Sequence, residues 1–391
     1  MKVCYLNYIG GPTINAASHS TIGGLNTILF NLIYNISLNK EIEIEVIFRD
    51  DGSPTTGIFK EIRLPVGSAK SIAREEIEKL LPVFTTQAIS YIILSQPDLI
   101  HTSGSEAGQV MLKLRSMGVN IPWVHTNYAT LAVRRFAVDK VNRDDAVKSY
   151  ISEREKSCLL ECDAITALSM SDKEEISEVF CIAAQKIAVI YPGIDTTIFF
   201  PDRSLRRNNL LISAGRISKI KDFPFLLKSF SIIRKFSNSA VKLLIIGGNS
   251  SERLSLGLLD LVKELGITEN VEFIDGVDQN VLAGYFRNAT VFIAHSQHET
   301  FGLLPIEAQA CGLPFVARAN SGYLSTSNDG NGGYFCQNDS ELDMAEKILR
   351  ILNMEEDAWL ELSVQAEQNA VQYQWSEAAE RTLDLYKRIV N

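Results

Sequence analysis

The sequence predicts an α/β protein built from two parallel-sheet domains, and three observations carry that expectation. The chain has 391 residues, more than one hydrophobic core usually supports, so about two domains are expected. Short apolar runs alternate with longer amphipathic stretches from end to end, the pattern of parallel strands joined by helices. Near the middle, YPGIDTTIFFPDRSLRRNN (191–209) sets two prolines, a glycine and polar residues between strand-like blocks, which marks the expected linker. The division that follows is 1–192 for the first domain and 193–374 for the second.

The elements follow in order. Strands are expected at KVCYLNYI (2–9), IEIEVIFR (42–49), DLIHTS (98–103), PWVHTN (122–127), DAITALS (163–169) and KIAVIYPG (186–193). Helices fit between them, one after Gly23 and Gly24 and one over AREEIEKLLPVFTTQAISYII (73–93). The second half repeats the pattern with strands NLLISAGR (209–216), VKLLIIGG (241–248), NVEFIDGV (270–277), ATVFIAHS (289–296) and LPFVARAN (313–320). Its helices are FPFLLKSFSIIRKF (223–236), SERLSLGLLDLVKELG (251–266) and PIEAQACG (305–312), the last with Pro305 in its first turn and Gly312 after its end. Ligands of open parallel sheets bind at the carboxyl ends of the strands, so the two domains are expected to face each other across a cleft.

Composition narrows the function. Hydrophobic residues make up 46% and charged residues 22%, the make-up of a folded domain rather than a disordered chain. A net charge of -9 argues against nucleic acid or an anionic membrane as partner, so an anionic ligand must be met by local cations. MKVCYLNYIGG lacks the pattern of a secretory leader, and no apolar run reaches membrane-spanning length. Six cysteines without a C-x-x-C pair read as reduced thiols, and a cytoplasmic location is expected.

Three groups of residues point to chemistry at strand ends. Gly23 and Gly24 before a helix can bring backbone N–H groups to a phosphate. Gly215, Arg216 and Lys221 follow a strand; a rigid guanidinium fork and a point charge suit a diphosphate whose negative charge grows as it leaves. In HETFGLLPIEAQACGLP (298–314), Glu299 lies in the loop after a strand and Glu307 is expected in the opening turn of the next helix. Two such acids fit a glycoside hydrolase dyad. They also fit a nucleotide-sugar site, with Glu307 accepting ribose hydroxyls and Glu299 accepting those of a sugar. The backbone N–H groups of Phe301, Gly302 and Leu303 would then add donors.

With these motifs in place, the chain resembles the retaining family-four glycosyltransferases of GT-B fold, nearest to the branch holding mycothiol glycosyltransferases and sucrose-phosphate synthases. The likeness rests on G-R-x4-K at Gly215, Arg216 and Lys221 and on E-x7-E at Glu299 and Glu307. GGLN, YPGID, VEFIDGV and YQWSEAAERTLDLYKR extend it over nearly the whole chain. The resemblance implies that the last helix, 375–391, crosses back onto the first domain. It places Arg216 and Lys221 on the diphosphate and Glu307 on the ribose. Glu299 and the 301–303 backbone fall to the transferred sugar, Val277 to the base, and Gly23, Gly24 and Asn26 to the donor. It also implies no protein nucleophile, because the leaving diphosphate helps admit the acceptor on the same face.

The departures concern the acceptor. The family's donor-touching histidine falls at Tyr128, with His125 three residues earlier, and either could serve. Arg74 stands where the mycothiol branch has a lysine for an acceptor phosphate. Thr102, Ser103 and Gly104 replace that branch's histidine-tyrosine text, which points away from the mycothiol acceptor. SGYLSTSNDG (321–330) replaces the usual GG-x-x-E block and lacks its acid.

The expected activity is metal-independent hexosyl transfer, of glucosyl or N-acetylglucosaminyl type, from a nucleotide-diphosphate sugar to a small hydroxyl acceptor. No D-x-D motif is present to chelate a metal and diphosphate, and no cofactor is expected. A UDP-sugar is favoured as donor, and a homodimer is left open. The alternatives are a non-catalytic nucleotide-sugar sensor and a GT-B epimerase or phosphorylase.

Overall fold

The computed structural model describes residues 1–8, 24–50, 52, 55–67, 74–128, 153–203, 209–237, 240–248, 251, 253, 256–337 and 339–391. Gly23 lies outside them, as do the side chains of Asn26 and Arg74. Two compact units emerge. Among the described residues, the first holds 1–8, Gly24–Gly193 and Trp375–Asn391, and the second holds Ile194–Gln374.

The first unit is a seven-stranded parallel sheet in the order β3-β2-β1-β4-β5-β6-β7. Its strands are β1 (Lys2–Asn7), β2 (Glu43–Arg49), β3 (Lys60–Leu64), β4 (Leu99–Ser103), β5 (Trp123–Thr126), β6 (Ala164–Ala167) and β7 (Ile187–Val189). Helices α1 (Gly24–Ser37), α2 (Arg74–Ser95), α3 (Gly104–Ser116), α4 (Glu153–Glu161) and α5 (Met170–Phe180) join them. Cys4, Phe84, Ile100, Met111, Trp123 and Ile165 belong to its core. β4, β5 and β6 are buried along their whole length, which is why they read as apolar runs rather than alternating ones. The C-terminal helix Trp375–Val390 packs against α1. It buries Trp375, Ala378, Ala379, Thr382, Leu383 and Tyr386, one stripe at helical spacing.

The second unit has six parallel strands in the order β10-β9-β8-β11-β12-β13. They are β8 (Leu210–Ala214), β9 (Lys242–Ile246), β10 (Val271–Ile274), β11 (Val291–Ala294), β12 (Phe315–Arg318) and β13 (Gly333–Cys336). Its helices are α6 (Phe223–Phe236), α7 (Leu258–Glu264), α8 (Gln279–Asn288), α9 (Leu303–Ala310), α10 (Ser321–Leu324), α11 (Glu341–Leu352) and α12 (Glu356–Ala370). Leu211, Phe223, Phe230, Leu243, Ile293 and Met344 form part of a separate core. Both sheets therefore have the doubly wound 3-2-1-4-5-6 order, extended by β7 in the first, and each reverses direction once: between β1 and β4, and between β8 and β11.

Several sequence expectations change. β3 and β13 were not foreseen; both are short edge strands, KEIRL being mostly charged and GYFC, though buried, only four residues long. The stretch 191–209 is not a free linker over its described part. Ile194 donates its N–H to Tyr373 O (3.0 Å), and Phe199 is buried against Phe286, 6.3 Å between ring centroids. Apolar side chains among the turn residues anchor this segment to the second unit. Among the described residues no helix is long and apolar enough to cross a membrane, and all six cysteines are free.

Candidate functional site

The direction change between β8 and β11 brings the strongest sequence motifs together. Gly215 directly follows β8 with φ +138°, a backbone angle that disfavours a side chain. A 3-10 turn, Lys219–Lys221, comes next. Gln297, in the loop after β11, donates its N–H to Ile220 O (2.9 Å) and so ties the two loops together. Lys221 Nζ and Glu299 Oε1 form an ion pair within this junction, with the side chains 21% and 19% exposed. Burial alone would raise the Glu299 carboxyl, but the Lys221 ammonium beside it outweighs that and holds it below the usual carboxylate range. Arg216 is exposed and has no hydrogen-bond or ion-pair partner among the described residues.

An unforeseen arginine pins this arrangement. Arg318 ends β12, and its Nη1 reaches Asp222 Oδ2 at 2.7 Å and His295 O at 3.1 Å. Its Nε donates to Asp339 Oδ1 (2.6 Å), and the guanidinium lies 3.9 Å from the Phe225 ring centroid. Asp222 caps α6 with φ 52°, directly after Lys221. Burial pushes its carboxyl up, yet Arg318 and Gln297 outweigh this and keep it below its ordinary value. A charged residue closing the apolar strand FVAR was the signal for this brace. His295 is buried with Nε2 2.9 Å from Ser213 Oγ; burial first and the Lys221 charge second lower it to about 4, so it stays neutral.

Glu307 differs from its expected place. α9 begins at Leu303, two residues before Pro305, because Gly302 adopts φ +93° and turns the chain into the helix. Glu307 therefore lies in the second turn, not the opening one, and is buried. Its nearest polar partner is Gln279 Nε2, a long 3.5 Å contact from the first residue of α8 to Oε1. Burial pushes this carboxyl up to about 7, with Gln279 acting in the opposite direction. Val277, half-buried, lies just before Gln279 in the loop after β10. Phe301 is buried against Tyr373, and Gly302 and Leu303 lead into α9 with the N–H groups that a helix start leaves without intrahelical partners.

In the first unit, Gly24 opens α1 and Arg74 opens α2. His125 is fully buried in β5. Trp123 Nε1 donates to Thr102 Oγ1 (2.7 Å), and the same hydroxyl lies 2.7 Å from His125 Nδ1. Burial lowers this imidazole to about 3. Tyr128, by contrast, lines a small, partly open recess together with Ile28, His101, Thr126, Trp375 and Thr382. Its hydroxyl lies 3.5 Å from Ser103 Oγ, and burial raises it to about 12. Of the two alternatives from the sequence, Tyr128 lines an open recess and His125 is sealed inside the sheet.

Residues 195–372 match the family described as Glycosyl transferases group 1, and 22–198 match Glycosyltransferase Family 4. A D-inositol 3-phosphate glycosyltransferase of Nocardia farcinica is 27% identical over 93% of this chain and 84% of that protein. The enzyme of the same name from Corynebacterium urealyticum is 25% identical over 100% and 96%. Among solved structures, sucrose-phosphate synthase of Thermosynechococcus elongatus superposes with a TM-score of 0.84 at 23% identity, covering 99% of this chain and 98% of that one. The Anabaena protein HepE, solved with UDP and glucose, gives 0.74 at 15% identity over 99% of each chain.

Proposed function

We propose that this chain, whose two domains belong to the glycosyltransferase family 4 and glycosyl transferases group 1 families, is a retaining hexosyltransferase using a nucleotide-diphosphate sugar. The protein is a glycosyltransferase of GT-B fold. Beyond that, we read the transferred group as glucosyl or N-acetylglucosaminyl and the acceptor as a small phosphorylated or cyclitol-like alcohol, in keeping with the names of its relatives. UDP is the favoured nucleotide because a neighbour of this fold was solved with UDP and glucose.

The Lys221–Glu299 pair at the direction change of the second sheet carries the reading. A diphosphate arriving beside Gly215 meets Lys221 and the exposed Arg216, whose charges offset the negative charge that builds on the leaving group. Glu299, held ionised, is then an acceptor for the hydroxyls of the donor sugar. Glu307 and Gln279 suit the ribose and the base-side loop, while Arg74 and Tyr128 are assigned to the acceptor. No divalent metal or other cofactor is required in this scheme, since the two cations do the work a metal would do.

A second reading has an observation of its own. The two carboxyls are shifted in opposite directions, Glu299 down and Glu307 up to about 7, as in an acid and nucleophile pair of a glycoside hydrolase. The two readings part on nucleotide dependence. Glu307→Gln should weaken UDP in calorimetry, because UDP contains the ribose, whereas Glu299→Gln should spare UDP and damage transfer. Equal UDP affinity in wild type and Glu307→Gln, or wild-type cleavage of nucleotide-free glycosides, would sink the transferase reading.

A further inference from the structure

The short helix α10 lies against the Glu299 loop and is fastened to it. Asn320 Nδ2 donates to Ser296 O (2.9 Å), and Asn320 Oδ1 accepts the N–H of Tyr323 (3.1 Å). At Gly322 a Cβ would stand 2.1 Å from Glu299 O and 3.0 Å from Glu299 Cβ, so only glycine permits this approach. At Gly302 a Cβ would stand 2.7 Å from the Tyr323 ring, so the ring lies over the turn that starts α9. Two glycines thus make room for one aromatic side chain beside one carboxylate.

The Tyr323 hydroxyl lies 3.2 Å from Ser296 Oγ and 3.4 Å from Glu299 Oε1. An ionised carboxylate only accepts, so the hydrogen bond to Glu299 must be donated by the phenol. Tyr323 is 4% exposed, and its hydroxyl reaches Glu299 from the buried side. Burial, followed by the neighbouring Glu299 charge, pushes the phenol well above its ordinary value and keeps the proton in place. Lys221 Nζ holds the same oxygen, Oε1. The lysine, however, is a flexible cation at a partly exposed position, and a diphosphate would compete for it. Once drawn off, it leaves the carboxylate to the neutral hydroxyls of Tyr323 and Ser296, which also contact each other.

We propose that Tyr323 is a positioning residue whose buried hydroxyl holds the Glu299 carboxylate in place for the donor sugar when Lys221 engages the diphosphate. This rests on the transferase reading above. It also gives a role to SGYLSTSNDG, the stretch that lacks the family's customary acid. Tyr323 acts through Glu299 and touches no substrate in this scheme.

Tyr323→Phe tests it, since the ring and its packing over Gly302 stay and only the hydroxyl goes. The probes are UDP-glucose, ADP-glucose and GDP-mannose, each paired with its free nucleotide diphosphate. Affinities come from calorimetry and kcat and KM from nucleotide release. The expected result is a melting temperature lowered only modestly, unchanged affinity for the free diphosphate, weaker binding of the intact donor, and kcat lower by roughly tenfold or more, the usual effect of losing a hydrogen bond to a charged group. Wild-type kcat and donor affinity in Tyr323→Phe, with wild type itself active, would overturn this inference alone. A matched loss of free-diphosphate affinity would also overturn it, because a merely structural role predicts that result. A wild-type protein that binds none of the nucleotides would bring down the transferase reading and this inference together.

Discussion

In the second unit, the carboxyl ends of β8, β11, β12 and β13 hold formal charges: Lys221 against Glu299, Arg318 against Asp222 and Asp339. In the first unit, the same sheet order surrounds a chain of neutral groups. The hydroxyls of Tyr5 and Tyr386 meet, Tyr386 reaches His101 Nδ1 (2.5 Å), His101 Nε2 reaches Thr126 Oγ1 (2.6 Å), and Thr126 meets Thr166. Burial lowers His101 to about 3 and raises Tyr5 and Tyr386. One sheet order therefore supports either kind of junction. The loops and strand-end residues decide whether a unit gathers formal charges at its strand ends or closes on itself with uncharged hydrogen bonds.

The largest expected effect breaks the charged junction. Lys221→Ala and Arg216→Ala should each cost on the order of 3 kcal/mol in the barrier to nucleotide release, roughly a hundredfold in kcat, with much smaller changes in nucleoside affinity. Steady-state kinetics on the best nucleotide sugar checks this, and unchanged turnover in both variants would remove the diphosphate clamp from the scheme.

Next comes pH. Burial raises the Glu307 carboxyl from 4.5 to about 7 in the folded state, so the folded state binds the proton more tightly. Its stabilising contribution is full below the unfolded pKa and is lost as pH rises through about 7. Glu307→Gln, which cannot ionise, should gain about 2 kcal/mol relative to wild type between about pH 5.5 and about pH 8.5. Thermal melts of both proteins at the two pH values give the difference; a constant gap between them would mean that Glu307 is ionised throughout.

The neutral network should answer differently. Tyr386→Phe leaves the Tyr5 hydroxyl and His101 Nδ1 without their shared partner, at a cost of about 2 kcal/mol in stability, and should leave UDP affinity as it was. A chemical melt and a UDP titration report the two quantities separately, and lost UDP affinity would show that the first unit's junction is not purely structural. The smallest expected effect is none at all. Transfer should persist in EDTA, with Arg216 and Lys221 offsetting the leaving charge, and rescue by Mg²⁺ or Mn²⁺ of an assay abolished by chelator would contradict the cation scheme.

Much of this was legible in advance, though unevenly. Fully buried strands such as LIHTS and VFIA announced themselves as apolar runs, while the edge strand KEIRL, with three charged residues, did not. Arg216, Lys221, Glu299 and Glu307 were legible because they are polar residues beside glycine at strand ends. Arg318 was readable only as the end of a strand, and Tyr323 only as part of a stretch lacking an acid. Their partners, Asp222 and Glu299, are distant in sequence, and nothing local encodes the pairing.

The sequence alone determined the parallel α/β class and placed the glycine, lysine and glutamate motifs at strand ends, because periodicity and turn chemistry are local properties. Tertiary structure decided the rest. The strand order set β8 beside β11 and so brought Lys221 to Glu299, 78 positions apart. Packing sealed His125 inside its sheet and left Tyr128 on a recess. Burial raised the Glu307 carboxyl, while at Glu299 the Lys221 charge outweighed burial and lowered it. The free energy of a charge depends on what surrounds it in space, and residues remote along the chain supply those surroundings.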